Sequence, residues 1–420
     1  MRSDRYKDEP VFKKKKKHGP LKALLILILL LAAAIAGTTA YVYKTAYDSL
    51  AVTFTEETPV VEFGESHLSM DYVKESGGEV RPADDYLNTE VTGPAEMKFT
   101  AEKRLFGGLL TPAKDFTLSY VVADSIPPLQ LWSGDGTVLQ RGTEFNINDV
   151  IAYGDNADPT PLVTVDGDVN MEKNGSYPLH VKVTDSSGNA TEWDLKVTVA
   201  DELPGFEDTA ERTDFADFAS ANKGNGRSFG IDVSAWQDDI DFKAVKKAGC
   251  EFVIIRIGYT SDGELNIDKT FYQNIQGARA AGLKTGVYLY STDNTEEQVR
   301  YDADWIIDNL GGSNLDLPVA FDWEDFGNFQ DYGISFHELN KLYDAFADQL
   351  SQAGYGCMLY GSKNYIEKVW DKTDVRPVWL AHYTKKTDYK GPYMLWQASC
   401  TGRISGISGD VDMDILYNKN

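Results

Sequence analysis

From Ser228 onward the chain repeats one pattern that leaves few folds open. Eight short apolar runs follow one another: "FGIDVSAW", "FVIIRIGY", "KTGVYLYS", "LPVAFDWE", "GCMLYGS", "RPVWLAHY", "YMLWQAS" and "DVDMDIL". Amphipathic stretches lie between the early ones, over 241–248, 269–281, 295–310, 335–353 and 363–369. Buried strands that alternate with helices predict a parallel α/β barrel. Only about nine or ten residues separate each of the last three runs, fewer than the dozen a βα crossover needs. The expectation is an α/β barrel of modified TIM type over 228–420, with five βα units followed by three strands.

In such barrels the reactive groups sit at the carboxyl ends of the strands. Acids stand there in three runs: Asp232 in "FGIDVS", Asp322 and Glu324 in "AFDWED", and Asp412 in "DVDMD". Side chains alternate along a strand, so Asp322 and Glu324 share a face while Trp323 points the other way. Two desolvated carboxylates side by side repel, which pushes at least one pKa toward neutrality and suits proton transfer. One such acid alone is an ordinary loop or helix cap; several converging on one mouth are not. Aromatic residues accompany them at Trp236, Tyr259, Tyr288, Tyr290, Tyr360, Trp379, Tyr383 and Trp396. Each taken singly is core, but rings beside carboxylates make a surface that fits a sugar, whose C–H faces stack and whose hydroxyls hydrogen-bond.

Other chemistries fit poorly. Only His337 and His382 fall in this region and neither has a second His at metal-ligand spacing. No GxSxG, Walker or strand-following GxGxxG motif occurs. Cys250, Cys357 and Cys400 are odd in number, widely spaced and set in or beside apolar runs, which reads as packing. No cofactor and no metal is expected. Glycoside cleavage needs a proton donor and a group supporting positive charge at the anomeric carbon, and two carboxyls supply both.

The motifs "GIDVSAWQ", "FVIIRIGYT", "GVYLYS", "FDWED", "WLAHY" and "WQAS…GISGDVDMD" stand in an order that resembles the glycoside hydrolase family 25 muramidases over about 190 residues. The resemblance implies hydrolysis, with retention, of the β-1,4 bond between N-acetylmuramic acid and N-acetylglucosamine in peptidoglycan. It also implies Glu324 as general acid/base, Asp322 as its partner beside the anomeric centre, and Asp232 and Asp412 as further acids of the site. Gln397, in "WQAS", joins the aromatic residues as a substrate contact. The chain departs from the family in Asp414, where Asn is common, and in Cys250, where an aliphatic residue is common. Whether Asp322 attacks carbon or orients a substrate N-acetyl group stays open, and the resemblance favours the second. We expect the raised pKa on Glu324.

The rest of the 420-residue chain is organised around this region. Residues 23–43 carry no charge and are long enough to cross a bilayer. Nine Lys or Arg against three acids precede or border them in residues 1–22, which predicts a cytoplasmic tail and an exterior remainder. A cleaved signal peptide is the alternative, because Ala34-Ile35-Ala36 resembles a small-x-small site. Since the whole chain nevertheless carries −24, its body is acidic, which argues against nucleic acid as a partner. The expected partners are peptidoglycan glycan strands and, through 23–43, the lipid bilayer. Short alternating runs with turn signals over 45–123 and 124–200 predict two immunoglobulin-like sandwiches. The second, with "GSYPLHVKVTDSSGNATEWDLKVTV", resembles bacterial immunoglobulin-like surface repeats. Residues 201–227 read as a Gly/Asn/Ser-rich linker, with few contacts across it. The rival to an enzyme is a non-catalytic wall-binding scaffold, and a third reading is a hydrolase of another N-acetylated glycan such as chitin.

Overall fold

The computed structural model describes residues 19–205, 207–261 and 263–417; residues 1–18 of the expected basic tail lie outside them. Leu, Ile and Ala are strong or tolerant helix formers, and Gly19–Asp48 form one 30-residue helix. None of its side chains is buried and its mean hydropathy reaches 2.5, so it is long and apolar enough to cross a membrane.

The chain divides into two compact units, 1–124, which includes this helix, and 125–420. In the first, Gly93–Glu102 and Ala113–Ala123 pair antiparallel, flanked by Glu79–Pro82 and Val60–Glu62. Alternation buries Phe99, Leu118, Tyr120 and Val122 on one face.

The second unit opens with a sandwich. A sheet ordered Leu162–Asp166, Gly175–Thr184, Ala190–Ala200, Val138–Gln140 faces the pair Leu129–Ser133 and Ile151–Gly154. Ile151, Tyr153, Val181, Val183 and Val197 fill the space between.

A closed barrel follows, with strands β1 (Arg227–Val233), β2 (Phe252–Ser261), β3 (Lys284–Tyr290), β4 (Val319–Asp322), β5 (Cys357–Ser362), β6 (Val378–Ala381), β7 (Leu395–Arg403) and β8 (Val411–Tyr417). Strands β1 to β7 run parallel in sequence order, and β8 closes the ring antiparallel to both β7 and β1. Helices Phe242–Lys247, Phe271–Ala280, Glu296–Leu310, Phe336–Gln352 and Lys363–Lys368 fill the first five connections. One set of alternating side chains, such as Ile231, Val253, Ile255, Phe321 and Ile415, meets the helices. The other set, including Phe252, Ile254, Ala320, Met358 and Leu395, fills the barrel.

Two expectations are corrected. Part of the supposed linker belongs to the barrel: Thr213–Asp214 pair with Gly402–Arg403, and Phe215–Ala221 form a helix. Its "DFADFA" places Phe215 and Phe218 three apart on one helix face, both buried in the outer core. Nor is the sandwich loosely tethered. Leu131 and Ala152, on the alternate face from Tyr153, join the outer barrel core. A Cβ on Gly154 would lie 2.6 Å from the rings of Phe329 and Phe336. The Gln330 side-chain amide accepts from the Tyr153 N–H at 3.4 Å and donates to the Ile151 carbonyl at 3.5 Å. Phe336 and His337 N–H groups donate to the carbonyls of Asp155 and Asn156.

Candidate active site

The acids meet at the top of the barrel because strand parity sends them inward. In β1, Ile231 and Val233 enter the helix layer, so Gly230 and Asp232 face inside. The antiparallel β8 sets Asp412 opposite Asp232 and Asp414 opposite Gly230. Gly230 is required there, since a Cβ would come within 2.4 Å of the Phe252 ring. In β4, Phe321 and Trp323 go outward and Asp322 goes in. Trp323 is anchored by its indole N–H to the Asp293 carbonyl, 3.2 Å away. Glu324 lies just past the strand, half-buried, where its carboxyl interacts with that of Asp322.

Burial dominates the electrostatics. It lifts Asp322 well above the ordinary carboxylate range, and the charges of Glu324 and Asp232 add to it while Arg256 opposes. Burial also lifts Glu324, but the bond with Asp322 pulls it back. Glu324 is thus raised as expected, and Asp322, the deeper of the two, is raised with it. Asp232 is raised by burial and then by Asp414, against the hydrogen bond from Gln397. Asp412 and Asp414 are each pushed up to about 8, chiefly by burial. The Trp379 indole donates to Asp414 at 2.8 Å and works the other way.

Gln397 organises the site. Its Nε2 donates to Asp232 at 2.8 Å, and its Oε1 accepts from the hydroxyls of Tyr360 and Tyr383, each at 2.9 Å. Tyr288 and Tyr290 are half-buried on the inward face of β3, with Tyr290 in register with Asp322. Trp236 is 83% exposed on a short 3₁₀ turn held by a Ser234–Gln237 capping box. It lines a cavity of about 520 Å³ with Tyr259, Tyr290 and Arg256.

Two aromatic residues do not belong to the binding surface. Trp396 has the opposite parity to Gln397, so it is buried in the outer core with its indole bonded to the His382 carbonyl. Trp379 is 1% exposed inside the barrel and supports Asp414. Arg256 was not singled out from the sequence, yet a lone cation on the inward face of "FVIIRIGY" was the available signal. It is held by Asp268 at 2.8 Å and lies over the Tyr259 ring. Asp302 gave less notice. It is wholly buried behind β3, bonded to Ser291 and Asp293, and pushed up to about 8 by burial and then by Asp293.

Residues 231–407 match the family described as glycosyl hydrolases family 25, and residues 129–199 match the bacterial surface protein, Ig-like domain. The autolytic lysozyme of Clostridium acetobutylicum is 32% identical over 190 residues, covering 44% of this chain and 54% of that protein. Lysozyme M1 of Streptomyces globisporus is 30% identical over 196 residues, covering 44% and 65%. The chain thus spans about half to two thirds of the length of these curated relatives. The crystal structure of the bacterial lysozyme from Streptomyces coelicolor aligns over 47% of this chain and 94% of that one, at 25% identity and a TM-score of 0.40. By its barrel and its sequence match, the C-terminal part of this chain is a family 25 glycosyl hydrolase domain, preceded by a bacterial surface Ig-like domain.

Proposed function

We propose that this protein is a membrane-anchored muramidase, cutting the β-1,4 bond between N-acetylmuramic acid and N-acetylglucosamine of peptidoglycan. The observation that carries the reading is the Asp322–Glu324 pair, one carboxyl buried and one half-buried, each shifting the other, at the mouth of a barrel that matches glycosyl hydrolases. A scaffold that only binds glycan has no use for this costly arrangement.

Glu324 is the donor to the leaving oxygen, because it is the more accessible carboxyl of the two. Its raised pKa keeps it a protonated donor at pH values where an ordinary carboxyl is ionised. Glu324, once ionised, then accepts a proton from the attacking water. Asp322 and Glu324 share one face of a strand end and influence each other's protonation. In this reading the substrate N-acetyl group is the nucleophile, with Asp322 orienting its N–H and supporting the positive charge that develops on it. Asp232 and Asp412, both raised by burial, line the floor beneath the anomeric centre, and Gln397 fixes Asp232. The anchor is the Gly19–Asp48 helix, with the N-terminus cytoplasmic and the barrel outside. The 45–123 module is read as a second immunoglobulin-like spacer.

Digesting purified peptidoglycan and identifying the new reducing-end sugar by mass spectrometry tests the reading. Muramic acid is expected. N-acetylglucosamine would make the protein a glucosaminidase, and no release would leave a glycan-binding scaffold.

A further inference from the structure

The Ig-like domain is docked on the segment that follows the acid. Glu324 is succeeded by the 3₁₀ segment Phe326–Asp331, and that segment carries Phe329, which packs against Gly154, and Gln330, which bonds the Ile151 and Tyr153 backbone. Asn148 of the Ig-like domain adds a bond from its Nδ2 to Asp331 at 3.3 Å. Beside this seam lies an open cleft of about 530 Å³ lined by Trp132, Asn148 and Asp149 from the Ig-like domain and by Gly327, Asn328 and Tyr365 from the barrel. Trp132 is 42% exposed, unlike its neighbour Leu131, which is buried in the core.

Tyr365 ties the cleft to the segment that follows the acid. Its ring stacks on Phe326, two residues beyond Glu324, at 3.9 Å between centroids. A polymer cut at Glu324 must extend over the neighbouring surface, and this surface offers two aromatic rings, two side-chain amides and a glycine that leaves the floor open. Rings and neutral amides are the groups that hold an N-acetylated sugar, through C–H stacking and hydrogen bonds to hydroxyls and acetamido groups.

We propose that the Ig-like domain and the barrel jointly form an additional saccharide subsite, with Trp132 as its stacking platform, that holds the glycan strand beyond the sugars gripped at the acids. The inference rests on the muramidase reading for the identity of the strand. It makes the Ig-like domain part of the substrate-binding surface, and it predicts a preference for long strands.

The test uses the full chain in detergent micelles carrying Glu324→Gln, so that binding is read without cleavage. Calorimetric titration compares glycan fragments of four and eight sugars made of alternating N-acetylglucosamine and N-acetylmuramic acid. The octasaccharide should bind about tenfold more tightly, the gain expected of one stacked ring. Trp132→Ala should abolish that gain and Trp132→Tyr should keep most of it. Gly327→Leu provides an independent block from the barrel side, because a Cβ there meets nothing within 4 Å and the side chain enters the cleft without strain. It should also remove the gain. An octasaccharide advantage that survives both Trp132→Ala and Gly327→Leu overturns the subsite, as does the absence of any advantage in the parent chain. Failure of the wild-type protein to release muramic acid ends overturns the muramidase reading instead, and the two failures are read in separate experiments.

Discussion

Asp414→Asn should make the barrel less sensitive to pH. Asp414 is wholly buried, is bonded to Asp232 and accepts the Trp379 indole, and its carboxyl is pushed up to about 8. An unfolded Asp titrates near 3.9, so between these values the folded protein binds a proton that the unfolded chain has already lost. Stability contributed by the raised value is therefore fully present below pH ~4 and is lost as pH rises through 8. The slope for one such group is about 1.4 kcal/mol per pH unit, or roughly 4 kcal/mol between pH 5 and 8, an upper limit once the surroundings relax around the ionised form. Asn retains a carbonyl oxygen for the Trp379 N–H and carries no titrating proton. Urea unfolding at several pH values, followed by near-UV circular dichroism, measures the slope. The wild type should be more stable at pH 5 than at pH 8, and Asp414→Asn should lower the slope by about one proton's worth. The remaining slope should come from Asp302 and Asp412, also raised to about 8, and from the Asp322–Glu324 pair. Equal stability at both pH values, or an unchanged slope in the variant, would refute the assignment of a neutral Asp414.

Deleting the Ig-like domain should weaken the barrel, because Phe329 and Phe336, 1% and 6% exposed, lose the cover of Gly154 and Ala152. Partial exposure of two such rings costs about 3 kcal/mol, or roughly 10 °C in melting midpoint for a domain of this size; equal midpoints for chains starting at 125 and 208 would contradict the docking. The Gly19–Asp48 helix should keep full-length protein with membranes after a salt wash, and protease added to wall-stripped cells should remove the barrel. Mature protein in the medium beginning near Gly37 would identify the helix as a cleaved signal. Arg256→Met should raise the upper pH limit of activity, because the guanidinium is the group that opposes the high value of Asp322; a pH profile unchanged from wild type would remove it from the site's electrostatics.

Parity and spacing made the barrel region legible: "AFDWED" and "DVDMD" announce inward acids because neighbours such as Trp323 and Met413 must go outward. The same rule, applied one residue at a time, would have placed Trp396 outside and Gln397 inside. What the sequence conceals is long-range pairing. Nothing in "LQLWS" or "IAYG" says that Leu131 and Ala152 meet a barrel, since an apolar residue on a strand's second face signals burial without naming its partner. Phe215 and Phe218 were hidden by the acidic, Gly-rich company they keep, although their spacing is helical. That both Asp322 and Glu324 are raised depends on their depth, which only the folded barrel defines.

The central claim is that Glu324 delivers the proton and Asp322 supports the developing charge. Glu324→Gln should lower the rate on unactivated peptidoglycan by roughly 10²- to 10⁴-fold, the usual worth of general acid catalysis. An aryl glycoside with a good leaving group needs little protonation. Measuring both variants on both substrates should therefore show bond cleavage partly restored in Glu324→Gln and still impaired in Asp322→Asn, and full activity of both variants on peptidoglycan would contradict the account.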